Sequence, residues 1–152
     1  MLGVAIIGAS AVCAIHLDSF LDHSDVCEIR AICDISLEKA QAAIDGKGLS
    51  ATAYADVEDM LANAETDLVP ICLPLNLHCD IAVKSLKAGK LVLVEKPIAS
   101  SLEECGIMIA VQQESGRLLS VVSCHAQHQL LPGHRWRWRR LQLPRNGCCY
   151  GR

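Results

Sequence analysis

A doubly wound α/β fold, a parallel sheet covered by helices on both faces, is what the sequence predicts, and three observations predict it. Short apolar, β-branched runs alternate with stretches of helical period through residues 1–122 of the 152. Those runs are continuous rather than alternating, as expected of strands buried on both sides. Helix start and stop signals fall between them, where each crossover needs them.

The elements follow in order. Residues 3–7 read as a buried strand and 11–21 as the helix after it. Residues 26–33 form the second strand, which ends at Asp34, and Ser36 caps a helix running through Ile44. A short strand at 51–54 precedes a helix at 57–62, for which Asp56 is the cap. Residues 68–72 make a strand stopped by Pro74. Asn76 opens a helix to Ala88, and Gly89 terminates it. The next strand is 91–94. Ser101, with Glu104 three residues on, predicts a capping box for a helix ending near Ser115-Gly116. Residues 118–122 make the last strand.

Composition agrees with one domain built around an aliphatic core. Hydrophobic residues are 51% and aromatics only 3%, so Val, Ile, Leu and Ala must fill the interior. A chain of this length can bury roughly 68–70% of its unfolded surface. The apolar content excludes disorder. The net charge of −3 argues against nucleic acid and against a membrane surface as partner. Nine Cys, an odd number with no C-x-x-C pair, support neither a disulfide framework nor a zinc ribbon. Cys13, Cys27, Cys33 and Cys72 stand singly in apolar runs, where a reduced Cys acts as a small hydrophobe. The N-terminus lacks a positive region before its apolar stretch, and no run reaches the roughly 18 residues of a membrane span. The expectation is a cytoplasmic protein without a metal.

Charge divides the chain. Residues 1–116 hold all 17 acids and seven bases, whereas 117–152 hold seven Arg, no Lys and no acid, together with both Trp. The domain is therefore expected over 1–122, followed at 123–152 by an atypical basic tail. Its run Arg135-Trp136-Arg137-Trp138-Arg139-Arg140 shows neither strand nor helix period. A nucleic-acid patch is one reading. The favoured one is a poorly ordered stretch foreign to the domain, such as out-of-frame translation or a cloning remnant.

The first strand runs into Gly8-Ala9-Ser10-Ala11-Val12-Cys13, where a dinucleotide fold carries G-x-G-x-x-G/A. Only Gly8 is intact; Ser10 and Cys13 are small substitutes. The N-terminal end of the following helix, at Ala11 and Val12, can still offer its N–H groups to an anion. Asp34 stands where a carboxylate would accept hydrogen bonds from an adenosine ribose; the alternative is a turn residue at the strand end. That acid, followed by Ile35 rather than Arg, points to NAD over NADP.

Further on stand Cys72-Leu73-Pro74-Leu75-Asn76-Leu77-His78 and Ala88-Gly89-Lys90-Leu91-Val92-Leu93-Val94-Glu95-Lys96-Pro97. With the first-strand Gly, His16 and the Cys33-Asp34 step, these resemble the N-terminal Rossmann-type domain of the Gfo/Idh/MocA oxidoreductases. This is the family of glucose-fructose oxidoreductase and inositol dehydrogenase. The resemblance implies NAD (or NADP) as cofactor and hydride transfer with a sugar or polyol. It implies cofactor contacts from Gly8, Ser10, Ala11, Val12 and Asp34 on one side. Leu73, Pro74, Asn76, His78, Glu95 and Lys96 are implied on the other. Lys96 is implied as the catalytic group that orients the substrate hydroxyl; its alternative is a surface Lys paired with Glu95. For His78 the alternative is a polar residue in a first helical turn, and His16 is expected to pack under the loop.

Two departures from the family pattern stand out. Ser10, in place of the second Gly, either crowds a pyrophosphate or hydrogen-bonds to it, and Leu73 replaces a Ser or Thr. The family also has a second, substrate-holding domain with a His/Asp acid–base group. The expectation is a truncated chain, inactive alone, with its oligomeric state left open. A second reading is a non-catalytic nucleotide-binding or regulatory module.

Overall fold

Five consecutive buried residues, Gly3 to Ile7, place β1 (Leu2–Ile7) at the centre of the molecule. The computed structural model describes residues 1–122, and the basic tail expected over 123–152 lies outside them. After β1 come α1 (Ala11–Leu21), β2 (Cys27–Cys33), α2 (Leu37–Lys47), β3 (Thr52–Tyr54) and α3 (Val57–Asn63). They are followed by β4 (Leu68–Ile71), a 3-10 turn (Leu75–Leu77), α4 (His78–Lys87), β5 (Leu91–Val94), α5 (Leu102–Ser115) and β6 (Leu119–Val121). All pairings are parallel, and the strand order is β3-β2-β1-β4-β5-β6. The expected α/β class is what the chain adopts.

Alternation along the strands divides the interior in two. Val4 and Ile6 face Cys13 and Leu17 of α1 and Ala40 and Ile44 of α2. Ala5 and Ile7 face the other way, into a layer with Met60, Ala82, Leu86 and Met108 from α3, α4 and α5. Arg30 interrupts β2: the β1–β2 register shifts between Val4 and Ala5, and the guanidinium reaches Glu28 at 2.9 Å and the Glu65 carbonyl at 2.7 Å. Pro70 lies inside the central strand β4 and gives up one ladder N–H there.

Local signals set most element ends. Ser36, Asp56 and Ser101 each accept a backbone N–H from three residues on, at 3.4, 2.8 and 3.2 Å. The capping box is displaced by one residue, because Glu104 accepts from Ser100 N at 2.7 Å rather than from Ser101. α2 continues past Ile44 to Lys47 and stops at Gly48, which is left-handed. The helix expected from Asn76 begins later. Leu77 N donates to Pro74 O at 2.9 Å, closing a tight 3-10 turn, and α4 starts at His78.

Cys13, Cys27, Cys33 and Cys72 are buried and free. Burial, more than nearby acids, pushes the Cys13 and Cys33 thiols up to about 11 and the Cys72 thiol to about 12, from an ordinary 9.0. A thiol raised by folding stabilises the fold fully below its unfolded value, and this is lost as pH rises through its folded value. The urea midpoint should therefore fall as pH climbs from about 9 towards 12, and fall less steeply in Cys72→Ala. Equal slopes in the two proteins would contradict this. Among the described residues no helix is long and apolar enough to cross a membrane.

Candidate functional site

The strand order reverses between β1 and β4, and at such a switch point the carboxyl ends of parallel strands leave a crevice. Gly8 leaves β1 with φ +99, and its N–H donates to Cys33 O at 2.7 Å. A Cβ there would meet Cys72 O at 2.5 Å, so only glycine lets the loop pass this close to β4. Ser10 occupies the N-cap of α1 without capping it. Its hydroxyl donates instead to Cys72 O at 3.2 Å. With exposed Ala11 and Val12 and no acid in the first turn, the positive end of α1 is left open to an anion.

Asp34 follows β2 and organises this loop. One carboxylate oxygen accepts from Ala9 N at 2.8 Å and the other from Ser36 N at 2.9 Å. Its role as a turn residue is thus realised. A carboxylate has about four lone-pair sites, so two remain for a ribose hydroxyl.

Opposite lies an open cleft of about 290 Å³, lined by Ser10, Val12, Cys72, Leu73, Pro74, Leu75, His78, Glu95 and Lys96. Asn76 is exposed on the 3-10 turn and is not among the lining residues. The sheet thus brings the first-strand loop together with the segments after β4 and β5.

His78 begins α4 and is 2% exposed. Its Nδ1 lies 2.9 Å from Pro97 O and its Nε2 2.9 Å from Leu73 O. Both ring nitrogens are therefore engaged by backbone, and the side chain clasps the two loops that flank the cleft. The Lys96–Pro97 peptide in one of them is cis.

His16 does more than the packing expected of it. It stacks on Phe20, with centroids 6.3 Å apart, and its Nε2–H donates to Glu95 Oε1 at 2.8 Å. The second Glu95 oxygen accepts Lys96 N at 3.2 Å. The Glu95–Lys96 ion pair considered from sequence does not form, and the Lys96 ammonium has no acidic partner among the described residues. Among those residues no group of three or more His, Cys, Asp or Glu side chains could hold a metal ion.

A family model described as an oxidoreductase family with an NAD-binding Rossmann fold, GFO_IDH_MocA, matches residues 2–123. The chain belongs to this family. Among curated Gfo/Idh/MocA-type relatives, inositol 2-dehydrogenase of Salmonella typhimurium is 32% identical over 76% of the chain and 34% of its own length. D-Glucoside 3-dehydrogenase of Escherichia coli is 33% identical over 78% and 34%. The WlbA dehydrogenase from Bordetella pertussis, solved with NADH and UDP-GlcNAcA, superposes with a TM-score of 0.75 at 30% identity. That match covers 80% of this chain and 36% of the other. The myo-inositol dehydrogenase from Lactobacillus casei, solved with NAD(H) and myo-inositol, gives 0.75 at 26%, with the same coverage. The chain spans about a third of the length of these relatives. Residues 2–123 are thus a Gfo/Idh/MocA NAD-binding domain, and the geometry fits that cofactor. The Gly8 turn, the open N-terminal end of α1 and the Asp34 carboxylate suit a pyrophosphate and a ribose, with Ser10 in place of the motif's second glycine.

Proposed function

We propose that this domain binds NAD for a dehydrogenase acting on a sugar or polyol, with Lys96 orienting the reacting hydroxyl. The observation that carries the reading is the Lys96 ammonium just past β5, which borders the cleft at the switch point and has no acidic partner among the described residues. When bound, the nicotinamide accepts the hydride. Gly8, Ser10, Ala11 and Val12 hold the pyrophosphate end and Asp34 the ribose. Leu73, Pro74 and Asn76 are assigned to the nicotinamide side, and His78 holds their loop in place. Lys96 donates a hydrogen bond to the substrate hydroxyl and stabilises alkoxide charge as it develops.

The substrate class rests on the relatives, whose names specify inositol and a D-glucoside. The family resemblance implies that the proton-accepting group belongs to a second, substrate-holding domain. The buried free thiols among the described residues and the net charge of −3 support a cytoplasmic setting with neither nucleic acid nor membrane as partner.

Calorimetric titration of the 152-residue chain tests the cofactor side. NAD should bind more tightly than NADP by about tenfold, the equivalent of about 1.4 kcal/mol, since a 2′-phosphate would meet the Asp34 carboxylate. Equal or tighter NADP binding would remove Asp34 from the ribose site. No binding of either would overturn the reading.

A further inference from the structure

We propose that His16 is a positioning residue for Lys96. By holding the Glu95 carboxylate against α1, it keeps the neighbouring ammonium from being captured and leaves it available at the cleft. The inference rests on the reading of Lys96 as the group that meets the substrate hydroxyl.

Three features of the geometry carry it. Glu95 and Lys96 lie just past β5, outside the strand, so the pleat no longer holds adjacent side chains on opposite faces. Nothing in the local backbone therefore keeps a carboxylate and an ammonium one residue apart from pairing. Glu95 is nevertheless turned away, with one oxygen on His16 Nε2 at 2.8 Å and the other on its neighbour's backbone N–H at 3.2 Å. His16 also wins on strength. The His16 and Glu95 side chains are only 12% and 16% exposed, whereas Lys96 is exposed. A hydrogen bond to a carboxylate that is largely removed from water outweighs an ion pair formed in it. The imidazole is stacked on Phe20 from the same helix, so it gives up little freedom to hold the contact, whereas a lysine must order a long chain.

The arrangement also links two parts of the site. α1, whose open end faces the loop of Gly8 and Ser10, is tied through His16, its sixth residue, to the turn that carries Lys96. Movement of that helix end would be transmitted to the turn beside the cleft.

The test reads the reactivity of the Lys96 amine in the full chain. Trace acetylation with acetic anhydride, followed by peptide mass spectrometry, gives its rate relative to exposed Lys39. Only the neutral amine reacts, and a carboxylate at hydrogen-bond distance favours the protonated form. In His16→Ala the freed Glu95 should turn to Lys96 and slow its labelling by about two- to fivefold, the range an exposed ion pair allows. His16→Phe keeps the stack on Phe20 and removes the donor, so it should slow Lys96 equally. His16→Gln, whose amide can donate to Glu95, should keep the wild-type rate. The double variant His16→Ala with Glu95→Gln should return to it, having no anion to capture the amine. Unfolding would act with the opposite sign, speeding Lys47 and Lys84, which are paired with Asp18 and with Glu58 and Asp80.

An unchanged Lys96 rate in His16→Phe overturns the proposal, and so does slowing that persists in the double variant. NAD titration of the wild-type chain separates this outcome from that of the cofactor reading. NAD binding with unchanged Lys96 reactivity removes the role of His16 alone. Slowed Lys96 in a chain that binds no NAD supports the role of His16 and overturns the cofactor reading.

Discussion

Replacing Gly8 by alanine is expected to destabilise the domain by about 3–5 kcal/mol, at the severe end for a single substitution, and to abolish NAD binding. Two effects add. The backbone sits at φ +99, where an L side chain is strained by about 1–3 kcal/mol. The new Cβ would also lie 2.5 Å from Cys72 O and 2.9 Å from the carbonyl carbon, backbone atoms that cannot swing aside. Relief requires β1 and β4 to part at their carboxyl ends. That threatens the bond from Cys72 N to Ile7 O, 2.7 Å long. The loop that approaches the pyrophosphate moves with them. Gly46 supplies the control, since it lies inside α2 with nothing within 4 Å of its would-be Cβ. Gly46→Ala should stabilise by about 0.5–1 kcal/mol. Urea denaturation of the two variants checks both signs. A Gly8→Ala midpoint close to wild type would show that the turn can relax without cost.

The comparison of these glycines shows what was legible in the sequence. The fold class was, because buried strands, caps and stops are written in neighbouring residues. The cap of α2 at Ser36, the cap of α3 at Asp56 and the stop at Gly89 all depend on contacts within a few positions. The site was legible only as an inventory. Gly8, Asp34 and Lys96 could be picked out by order and spacing, yet their partners lie far along the chain. Ala9 and Asp34 meet across 25 positions, and His16 and Glu95 across 79. No period or motif encodes a contact at that separation. From sequence, His16 is expected to pack under the loop, and Lys96 to be the catalytic group or, as the alternative, a surface Lys paired with Glu95. The fold brings the Glu95 carboxylate to His16, with no Glu95–Lys96 ion pair beside it. Asn76 is picked out by its place in the Pro-to-His motif, and the 3-10 turn that exposes it beside the cleft, rather than in its lining, is not legible from that motif.

His78→Leu is the other substitution expected to have a large effect. It should cost about 2–4 kcal/mol of stability and weaken NAD binding, although Leu fills much of the same space. The ring is 2% exposed and faces two backbone carbonyls, those of Leu73 and Pro97, at 2.9 Å each. Removing it withdraws the donor and leaves both oxygens facing an apolar side chain. A buried polar group stripped of its partner costs about 1–3 kcal/mol. A neutral imidazole carries one N–H and donates to one of these oxygens, whereas the imidazolium donates to both. His78→Gln keeps a donor that can reach one carbonyl and should fall between wild type and Leu. The effect on binding follows from where the two carbonyls sit. One is in the segment after β4 and the other in the turn that holds Lys96, so His78 fixes the distance between the walls of the cleft. Urea midpoints and NAD titrations on all three proteins should rank wild type above Gln and Gln above Leu in both measurements. A Leu variant that lost stability yet bound NAD as wild type does would show that the clasp serves the fold alone, with the walls of the cleft held by the sheet.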